Sequence, residues 1–334
     1  MPTNLPPEYF EVEKRYKAAE SPAEKISTLE ELISTIPKHK GTDKLRADLR
    51  RRLSKLKSSA QSKKGSRRHA SAYRLDREGA GQVVLIGPAN VGKSALVAAL
   101  TNAVPEVSPA PYTTWQPTPG MMPVENIHIQ LVDTPALNRD FVEPELLDLM
   151  RRADLLLLVV DLQADPVSQL EVTVGLLEEH RLVPDHWHDR YSDEDQHRLF
   201  FVQVLVLANK YDDEETDVNF EIFCELLDNE VDWPPMLPVS AVTGRNLEQL
   251  KHEVFNRLGV VRIYSKPPGK EVDFSTPFVL AEGSTLAEFA RKVHKDFYKN
   301  LKSARVWGSS AVYEGQLVSR DHLLQDGDVV ELQL

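Results

Sequence analysis

This 334-residue sequence lacks a second cysteine, a long apolar run and a leader-like start. The single cysteine, Cys224, excludes an internal disulfide framework and a CxxC metal site, and the apolar pattern of residues 220–227 predicts a core position for it. A run of about 18 uncharged apolar residues, which a membrane span needs, is absent. Residues 1–11 lack the apolar segment of a signal peptide. We therefore expect a cytoplasmic protein without membrane contact.

Charge is distributed unevenly around a formal net value of −11. Residues 38–74 contain 14 lysines and arginines against 2 aspartates, whereas residues 79–259 contain 11 basic and 30 acidic side chains. Such a split predicts a basic segment for an anionic partner, attached to an acidic body. The alternative is a solvated helix face followed by a linker, and composition alone does not choose between the two.

The pattern of apolar residues predicts three domains. For residues 1–78 the pattern predicts a helical arm with a basic linker. Residues 79–259 alternate short apolar runs with helical patterns, which predicts a doubly wound α/β domain. For residues 260–334 the pattern predicts a small α+β domain with one helix over residues 286–301. A basic row steps along one face of this helix and just past its end: Arg291, Lys295, Lys299 and Lys302. The strands predicted for the α/β domain are residues 83–86, 127–132, 155–160, 202–207 and 236–239.

The sequence GPANVGKS at residues 87–94 matches the phosphate-binding pattern G-x-x-x-x-G-K-[ST]. Its backbone N–H groups would wrap a phosphate chain, and the helix that follows would present its positive end to the anion. Lys93 would reach the β- and γ-phosphates, and the Ser94 hydroxyl would bind Mg²⁺. The alternative is a plain glycine turn between strand and helix. The residues predicted to hold the phosphates are Gly87, Asn90, Val91, Gly92, Lys93, Ser94 and Ala95.

The sequence NKYD at residues 209–212 identifies the base as guanine. It follows a predicted strand, and ligands bind at the carboxyl ends of parallel strands. Asp212 would accept hydrogen bonds from guanine N1 and N2, a donor pair that adenine lacks. Asn209 would hold the other side of the base, and the Lys210 stem would cover it. A backbone N–H group in a second loop would contact guanine O6, and the loop residues concerned are Ser240, Ala241 and Val242.

Two further positions predict a magnesium site. Asp133 ends a predicted strand in the sequence DTPA and would hold Mg²⁺ through water. A threonine in the sequence PYTTW at residues 111–115 would join the metal and sense the γ-phosphate. Thr114 is the preferred candidate, with Thr113 as the alternative.

In this order the motifs resemble those of Obg-branch P-loop GTPases, and of Drg proteins in particular. PYTTW is similar to the Y-x-F-T-T-L element of that branch. VRIYSKPPGK at residues 261–270 and ARVWGSS at residues 304–310 resemble the TGS domain of Drg proteins, and residues 38–57 resemble the Drg N-terminal helices. The resemblance implies a β-grasp fold for residues 260–334 and a protein that binds GTP and Mg²⁺ and hydrolyses GTP to GDP and phosphate.

The sequence departs from the Drg pattern at Ala136, where the family has the glycine of DxPG. Alanine keeps the N–H group that would contact the γ-phosphate but restricts φ. Leu137 stands where Ras-like enzymes have a water-orienting glutamine, which predicts slow intrinsic turnover. Catalysis would then depend on Lys93, Thr114 and Asn90. Related GTPases use an asparagine at the position of Asn90 to coordinate K⁺, although Asn90 would also simply suit the dihedral angles of the loop.

Three functions remain open at this point. The first is a GTP-hydrolysing switch in translation or ribosome assembly, with an unknown protein activator. The resemblance implies ribosome contact, and the basic segment and basic row suggest binding to rRNA or tRNA by shape and charge. The second is a module or scaffold that holds GTP or GDP with negligible hydrolysis. The third, an ATP-binding relative, is disfavoured because Asn209 and Asp212 are both present.

Overall fold

The computed structural model describes residues 75–101, 116–137, 142–227 and 231–333, together with seven isolated positions: Val12, Arg15, Thr28, Leu32, Thr35, Leu49 and Tyr73. The chain divides into two compact units, Met1–Arg74 and Leu75–Leu334. Six of the isolated positions, all but Tyr73, are helical. The predicted linker and both threonines of the PYTTW sequence lie outside the described residues. The predicted domain boundary near residue 259 stays a prediction.

The second unit is built from strands and helices in alternation. From residue 75 onward its α-helices are α1 (Lys93–Leu100), α2 (Pro144–Arg152), α3 (Pro166–Glu179), α4 (Asp193–Gln196), α5 (Glu214–Leu226), α6 (Leu247–Arg257), α7 (Leu286–Val293) and α8 (Lys295–Asn300). Its strands are β1 (Gln82–Ile86), β2 (Thr118–Val124), β3 (Ile127–Asp133), β4 (Leu155–Asp161), β5 (Leu182–Pro184), β6 (Phe200–Val202), β7 (Val204–Asn209), β8 (Met236–Pro238), β9 (Val260–Ser265), β10 (Phe278–Ala281), β11 (Ser303–Trp307), β12 (Gln316–Val318) and β13 (Val329–Gln333).

The larger sheet has six strands in the order β2-β3-β1-β4-β7-β8. All neighbours are parallel except β2 and β3, which form an antiparallel hairpin at one edge. β1 and β4 are buried along their whole length, as expected of strands covered on both faces. The parallel register brings the carboxyl ends of β1, β3, β4 and β7 to one edge of the sheet. This arrangement confirms the doubly wound α/β fold.

The smaller sheet has five strands in the order β10-β9-β13-β11-β12. β13 runs parallel to β9, and the other neighbours are antiparallel. α7 begins with a capping box, because the Thr285 and Glu288 side chains each accept a hydrogen bond from the other residue's backbone. Leu286 and Phe289 of this helix are fully buried against the sheet core. The result is the mixed α+β module that the sequence predicted.

The turn between β2 and β3 contacts the smaller sheet. Asn126 donates from Nδ2 to the hydroxyl oxygen of Tyr264 at 2.6 Å and to the Phe274 carbonyl at 2.9 Å. Arg262 of β9 pairs with Glu125 in the same turn and with Asp326 at 2.7 Å. The edge hairpin of one sheet is therefore held by side chains of the other.

Several predictions about elements were wrong. The predicted strand 202–207 is two strands: Val202 ends β6, which pairs with β5 in a separate two-stranded sheet, and β7 begins at Val204. The single helix predicted over residues 286–301 is broken at His294, which has an extended backbone (φ −168°) and whose Nδ1 accepts from the Asp296 N–H group at the start of α8. The basic row therefore lies on two helices and the loop after them. Cys224 is exposed, not in the core.

Three strands escaped sequence reasoning: β2, β5 and β12. β2 contains Pro119 and Pro123, which argue against a strand except at a sheet edge, and β2 is such an edge. β5 and β12 are each only three residues long. Within the described part of the chain, no helix has the length and apolar character needed to cross a membrane.

Candidate nucleotide-binding site

The phosphate loop joins β1 to α1 and depends on two glycines. Gly87 has φ +140°, and a Cβ there would lie 2.4 Å from the Val159 carbonyl oxygen of β4. Gly92 has φ +93°, and a Cβ there would lie 2.3 Å from Asn209 Nδ2. Any larger residue would displace a neighbouring strand end or loop. The loop therefore has its curvature because the two glycine positions of the motif carry no side chain.

Lys93 folds back over this loop. Its Nζ donates to the carbonyl oxygens of Gly87 at 2.9 Å and Pro88 at 2.7 Å, and the side chain is buried. Burial lowers the pKa of Lys93 from 10.5 to about 8, and the negative charge of Asp133 opposes part of that shift. A phosphate chain would supply the compensating negative charge that this buried ammonium group needs.

Ser94 and Asp133 form an oxygen pair beside the loop. The Ser94 hydroxyl donates to Asp133 Oδ2 at 2.6 Å, and Asp133 is buried at the end of β3. Hydroxyl and carboxylate oxygens suit Mg²⁺, which is usually held by one or two carboxylates plus substrate phosphates. The described residues contain no group of three or more His, Cys, Asp or Glu side chains that would hold a metal without a substrate. The donor set therefore fits Mg²⁺ held jointly with a nucleotide.

The residues after Asp133 contact the phosphate loop directly. The Leu137 N–H group donates to the Gly87 carbonyl oxygen at 3.1 Å, the same oxygen that accepts from Lys93. Ala136 is not among the residues with positive φ, so alanine adopts its conformation here without strain. Asn90 is exposed and has φ +65°, a left-handed conformation that asparagine tolerates.

The predicted base loop is attached to the phosphate loop through Asn209. This side chain is buried, donates from Nδ2 to the Val91 carbonyl at 2.8 Å and accepts from the Ala241 N–H group at 3.3 Å. One amide therefore connects three segments that are far apart in sequence. The structure brings the predicted phosphate-binding and base-binding residues together at one edge of the sheet, although their contacts with a nucleotide stay a prediction.

Asp212 is held by the loop after β8. The buried Ser240 hydroxyl donates to Asp212 Oδ1 at 2.5 Å. The same hydroxyl oxygen accepts from the Val242 N–H group at 3.2 Å and from the Thr243 N–H group at 2.9 Å. Val242 itself is exposed. The predicted O6-binding loop is therefore folded around the carboxylate predicted to bind guanine.

Sequence reasoning missed two residues in this site, Asp161 and Gln163. Lys210 donates to Asp161 Oδ2 at 2.5 Å, and Gln163 donates from its amide to Asp212 Oδ2 at 3.2 Å. A signal was available, because Asp161 ends a buried parallel strand, as Asp133 and Asn209 do. Asp161 is the last residue of β4, and Gln163 lies in the loop that follows it.

A doubly wound sheet with this phosphate loop after β1 and an NKxD loop after β7 defines the protein as a P-loop GTPase. A family model described as 50S ribosome-binding GTPase matches residues 82–186, and the TGS domain model matches residues 261–333. The chain is 30% identical to an uncharacterized GTP-binding protein of Methanocaldococcus jannaschii, over 92% of each chain. It is 26% identical to Developmentally-regulated G-protein 2 of Arabidopsis thaliana, over 92% of this chain and 90% of that protein.

The chain therefore belongs to the Drg-type family of GTP-binding proteins with a C-terminal TGS domain. Among solved structures, Era in complex with MgGDPNP and a 16S ribosomal RNA segment aligns with a TM-score of 0.38 and 20% identity, over 68% of this chain and 70% of that chain. That similarity is too low to bear on the function of this chain.

Proposed function

We propose that this GTPase is a slow molecular switch in translation or ribosome assembly, which contacts structured RNA through its basic segment and its TGS domain. The binding of GTP is supported by the hydrogen bonds of Asn209, which join the phosphate loop to the base loop. The ribosomal half is supported by the family model, whose description names 50S ribosome binding. We assign residues 1–78 to the basic arm, 79–259 to GTP binding and 260–334 to the TGS domain.

Each part of the nucleotide then has named partners. Lys93 and the backbone of the phosphate loop bind the phosphates, Asp212 and Asn209 bind guanine, and Ser94 and Asp133 hold Mg²⁺ together with Thr114. When bound, Mg²⁺ neutralises charge on the β- and γ-phosphates. Asn90 is exposed at the loop and would add K⁺ as a second neutralising cation.

Hydrolysis is slow in this proposal because Leu137 supplies no polar group to orient water. A GTPase without a water-positioning side chain depends on positioning and on electrostatic stabilisation of the phosphates. A partner would then be needed for fast turnover. The second candidate is a protein that holds GTP or GDP with negligible hydrolysis, and it is motivated by Ala136, which stands where the family has a glycine.

One assay separates these candidates. Single-turnover GTP hydrolysis is measured in KCl and in NaCl, with and without ribosomes, for the native chain and for Lys93→Ala as the inactive control. We expect slow hydrolysis that rises on addition of ribosomes and in KCl. Fast hydrolysis without any partner would contradict the switch proposal, whereas no hydrolysis under all conditions would favour the holding module. Equal rates in KCl and NaCl would remove the role of Asn90.

The RNA contact needs a separate test. Arg291, Lys295, Lys299 and Lys302 are all exposed. Full-length variants with glutamine in place of these four residues, or of the lysines and arginines in residues 38–74, are compared in ribosome co-sedimentation at several salt concentrations. Loss of phosphate contacts lowers the affinity and flattens its salt dependence. Unchanged sedimentation for both variants would exclude these surfaces as the RNA contact.

A further inference from the structure

We propose that Asp161, the last residue of β4, and Gln163, in the loop after it, are positioning residues for guanine recognition: Asp161 holds Lys210 in place, and Gln163 holds the Asp212 carboxylate in place. This inference rests on the proposed assignment of Asp212 to guanine. It adds a third loop to the base site and gives its two residues separate effects on affinity and on base specificity.

The register of the larger sheet places Asp161 beside the base loop. β4 and β7 are parallel neighbours, and Asp161 pairs with Asn209, the first residue of the NKYD sequence. Lys210 then takes a left-handed conformation with φ +66°, which a lysine adopts at a cost in conformational energy. Its Nζ donates to Asp161 Oδ2 at 2.5 Å. Strain of this kind is retained where surrounding contacts fix the residue, and the ion pair with Asp161 is such a contact.

Asp161 also sets the loop that contains Gln163. Its Oδ1 accepts from the Gln163 N–H group at 3.0 Å, and its own N–H group donates to the Gln169 side chain at 2.8 Å. The Asp161 side chain is only 12% exposed, compared with 34% for Lys210. One largely buried carboxylate therefore fixes both the lysine predicted to cover the base and the backbone of the adjacent loop.

Gln163, in the loop after β4, and Ser240, in the loop after β8, each donate a hydrogen bond to one oxygen of the Asp212 carboxylate. The Gln163 amide donates to Asp212 Oδ2 at 3.2 Å and to the Lys210 carbonyl at 3.1 Å, while Ser240 donates to Oδ1. Both partners of the amide nitrogen are acceptors, which fixes the orientation of the amide. An ionised carboxylate has about four acceptor positions, so two remain for the N1 and N2 hydrogens of guanine.

The orientation of the Asp212 carboxylate plane matters most when both of its oxygens bind the same base. Two parallel hydrogen bonds to guanine form only when both oxygens lie in the plane of the base edge. A carboxylate free to rotate would still make one of them. Loss of Gln163 should therefore weaken recognition of the 2-amino group, whereas loss of the Lys210 clamp should weaken binding of any purine that the lysine stem covers.

The test compares dissociation constants of GDP, IDP and XDP for the full-length chain. IDP lacks the 2-amino group, and XDP carries an oxygen there. For Gln163→Ala we expect the preference for GDP over IDP to fall about five-fold, the size of one hydrogen bond, with little change for IDP. Gln163→Glu keeps the size but replaces the donor with a charge that repels Asp212, so its loss should be larger. For Asp161→Asn we expect GDP and IDP to weaken together by about ten-fold.

Two controls keep the outcomes distinct. Gln249→Ala removes an exposed glutamine of α6 and should bind all three nucleotides as the native chain does. Asp212→Asn should shift the preference from GDP towards XDP.

If Asp212→Asn does not shift this preference, the assignment of Asp212 to guanine fails and the inference fails with it. If it does, but the GDP-to-IDP preference of Gln163→Ala equals that of Gln249→Ala, only the role of Gln163 is overturned. Native GDP affinity in Asp161→Asn would overturn the role of Asp161. Melting curves verify that each variant is folded.

Discussion

The two larger sheets of the second unit expose different parts of their strands. The six-stranded sheet buries its central strands on both faces and leaves chemistry to the loops at one edge. The five-stranded sheet buries one face against α7 and carries polar and aromatic side chains on its strands, such as Arg305, Trp307 and Glu331. A sheet closed on both faces concentrates its function at the strand ends, whereas a sheet open on one face offers a surface.

The first prediction tests the difference in burial. Leu157 lies fully buried in β4 between β1 and β7, whereas Leu317 of β12 is 58% exposed. Leu157→Ala should lower the free energy of unfolding by about 3–4 kcal/mol, because it removes apolar contacts and leaves a cavity, and Leu317→Ala by less than about 0.5 kcal/mol. Urea denaturation measures both. Similar losses for the two variants would contradict the described contrast.

The second prediction compares two glycines with positive φ, one in a loop beside the six-stranded sheet and one in a loop beside the five-stranded sheet. Alanine at Gly92 would push against Asn209, whereas no atom lies within 4 Å of a Cβ at Gly327, where φ is +87°. Gly92→Ala should weaken GDP binding by about 100-fold, since a few kcal/mol of strain and displacement fall on the site itself. Gly327→Ala should cost about 1 kcal/mol of stability and leave GDP affinity unchanged. Titration with a fluorescent GDP analogue measures the affinity of both variants. A native affinity in Gly92→Ala would refute the steric argument.

The third prediction concerns pH and the pair of Arg262 and Asp326. Burial alone would raise the pKa of Asp326, but hydrogen bonds from the Arg262 side chain and backbone, together with its charge, hold that pKa below the ordinary 3.8. A depressed carboxylate pKa stabilises the fold above the ordinary value, and this stability is lost as pH falls through the folded pKa. Asp326→Asn should cost about 1 kcal/mol at pH 6, a value reduced by solvent screening.

The cost of Asp326→Asn should shrink towards zero as pH falls below 3.8, the ordinary pKa of the aspartate. Thermal melting of the native chain and the variant between pH 3 and 7 measures it, with Asp321→Asn, at an exposed position, as the control. A difference that does not change with pH would show that the pair acts by packing alone.

The smallest effect is expected on the open face of the five-stranded sheet. Lys266 pairs with Glu331 at 2.6 Å and lies 4.8 Å from the centroid of the Trp307 ring. Lys266→Met should cost about 0.5 kcal/mol, since partly exposed ion pairs and cation–π contacts are weak, and should shift the tryptophan fluorescence. GDP affinity should not change. A loss of affinity would mean that this face communicates with the nucleotide site.

The features that could be predicted from the sequence are those that apolar patterns and motif spacing along the chain encode. The phosphate loop, the base loop and Asp133 all come directly after buried strands, and the structure places them at one edge of the sheet. β2 was missed because its two prolines disfavour a strand in the local sequence, whereas prolines are tolerated in a strand at the edge of a sheet. The break at His294 was missed because a single histidine cap interrupts an otherwise helical pattern.

The rest depends on contacts between residues distant in sequence. Asp161 and Gln163 meet the base loop only because β4 and β7 pair in one register, and no spacing along the chain encodes that meeting. Cys224 was placed in the core because its neighbours are apolar, yet the helical turn of α5 puts Phe223 inside and Cys224 outside. Strand order and helix rotation are properties of the assembled fold.

The hairpin of β2 and β3, at the edge of the six-stranded sheet, connects the predicted magnesium site to the five-stranded sheet. At one end its turn is held by Arg262 and Tyr264; at the other, β3 ends in Asp133. Seven residues of extended strand span about 23 Å. Because a paired strand keeps its length, we expect a displacement of Asp133 along β3 to reach the turn that Arg262 and Tyr264 contact, and a displacement of that turn to reach Asp133.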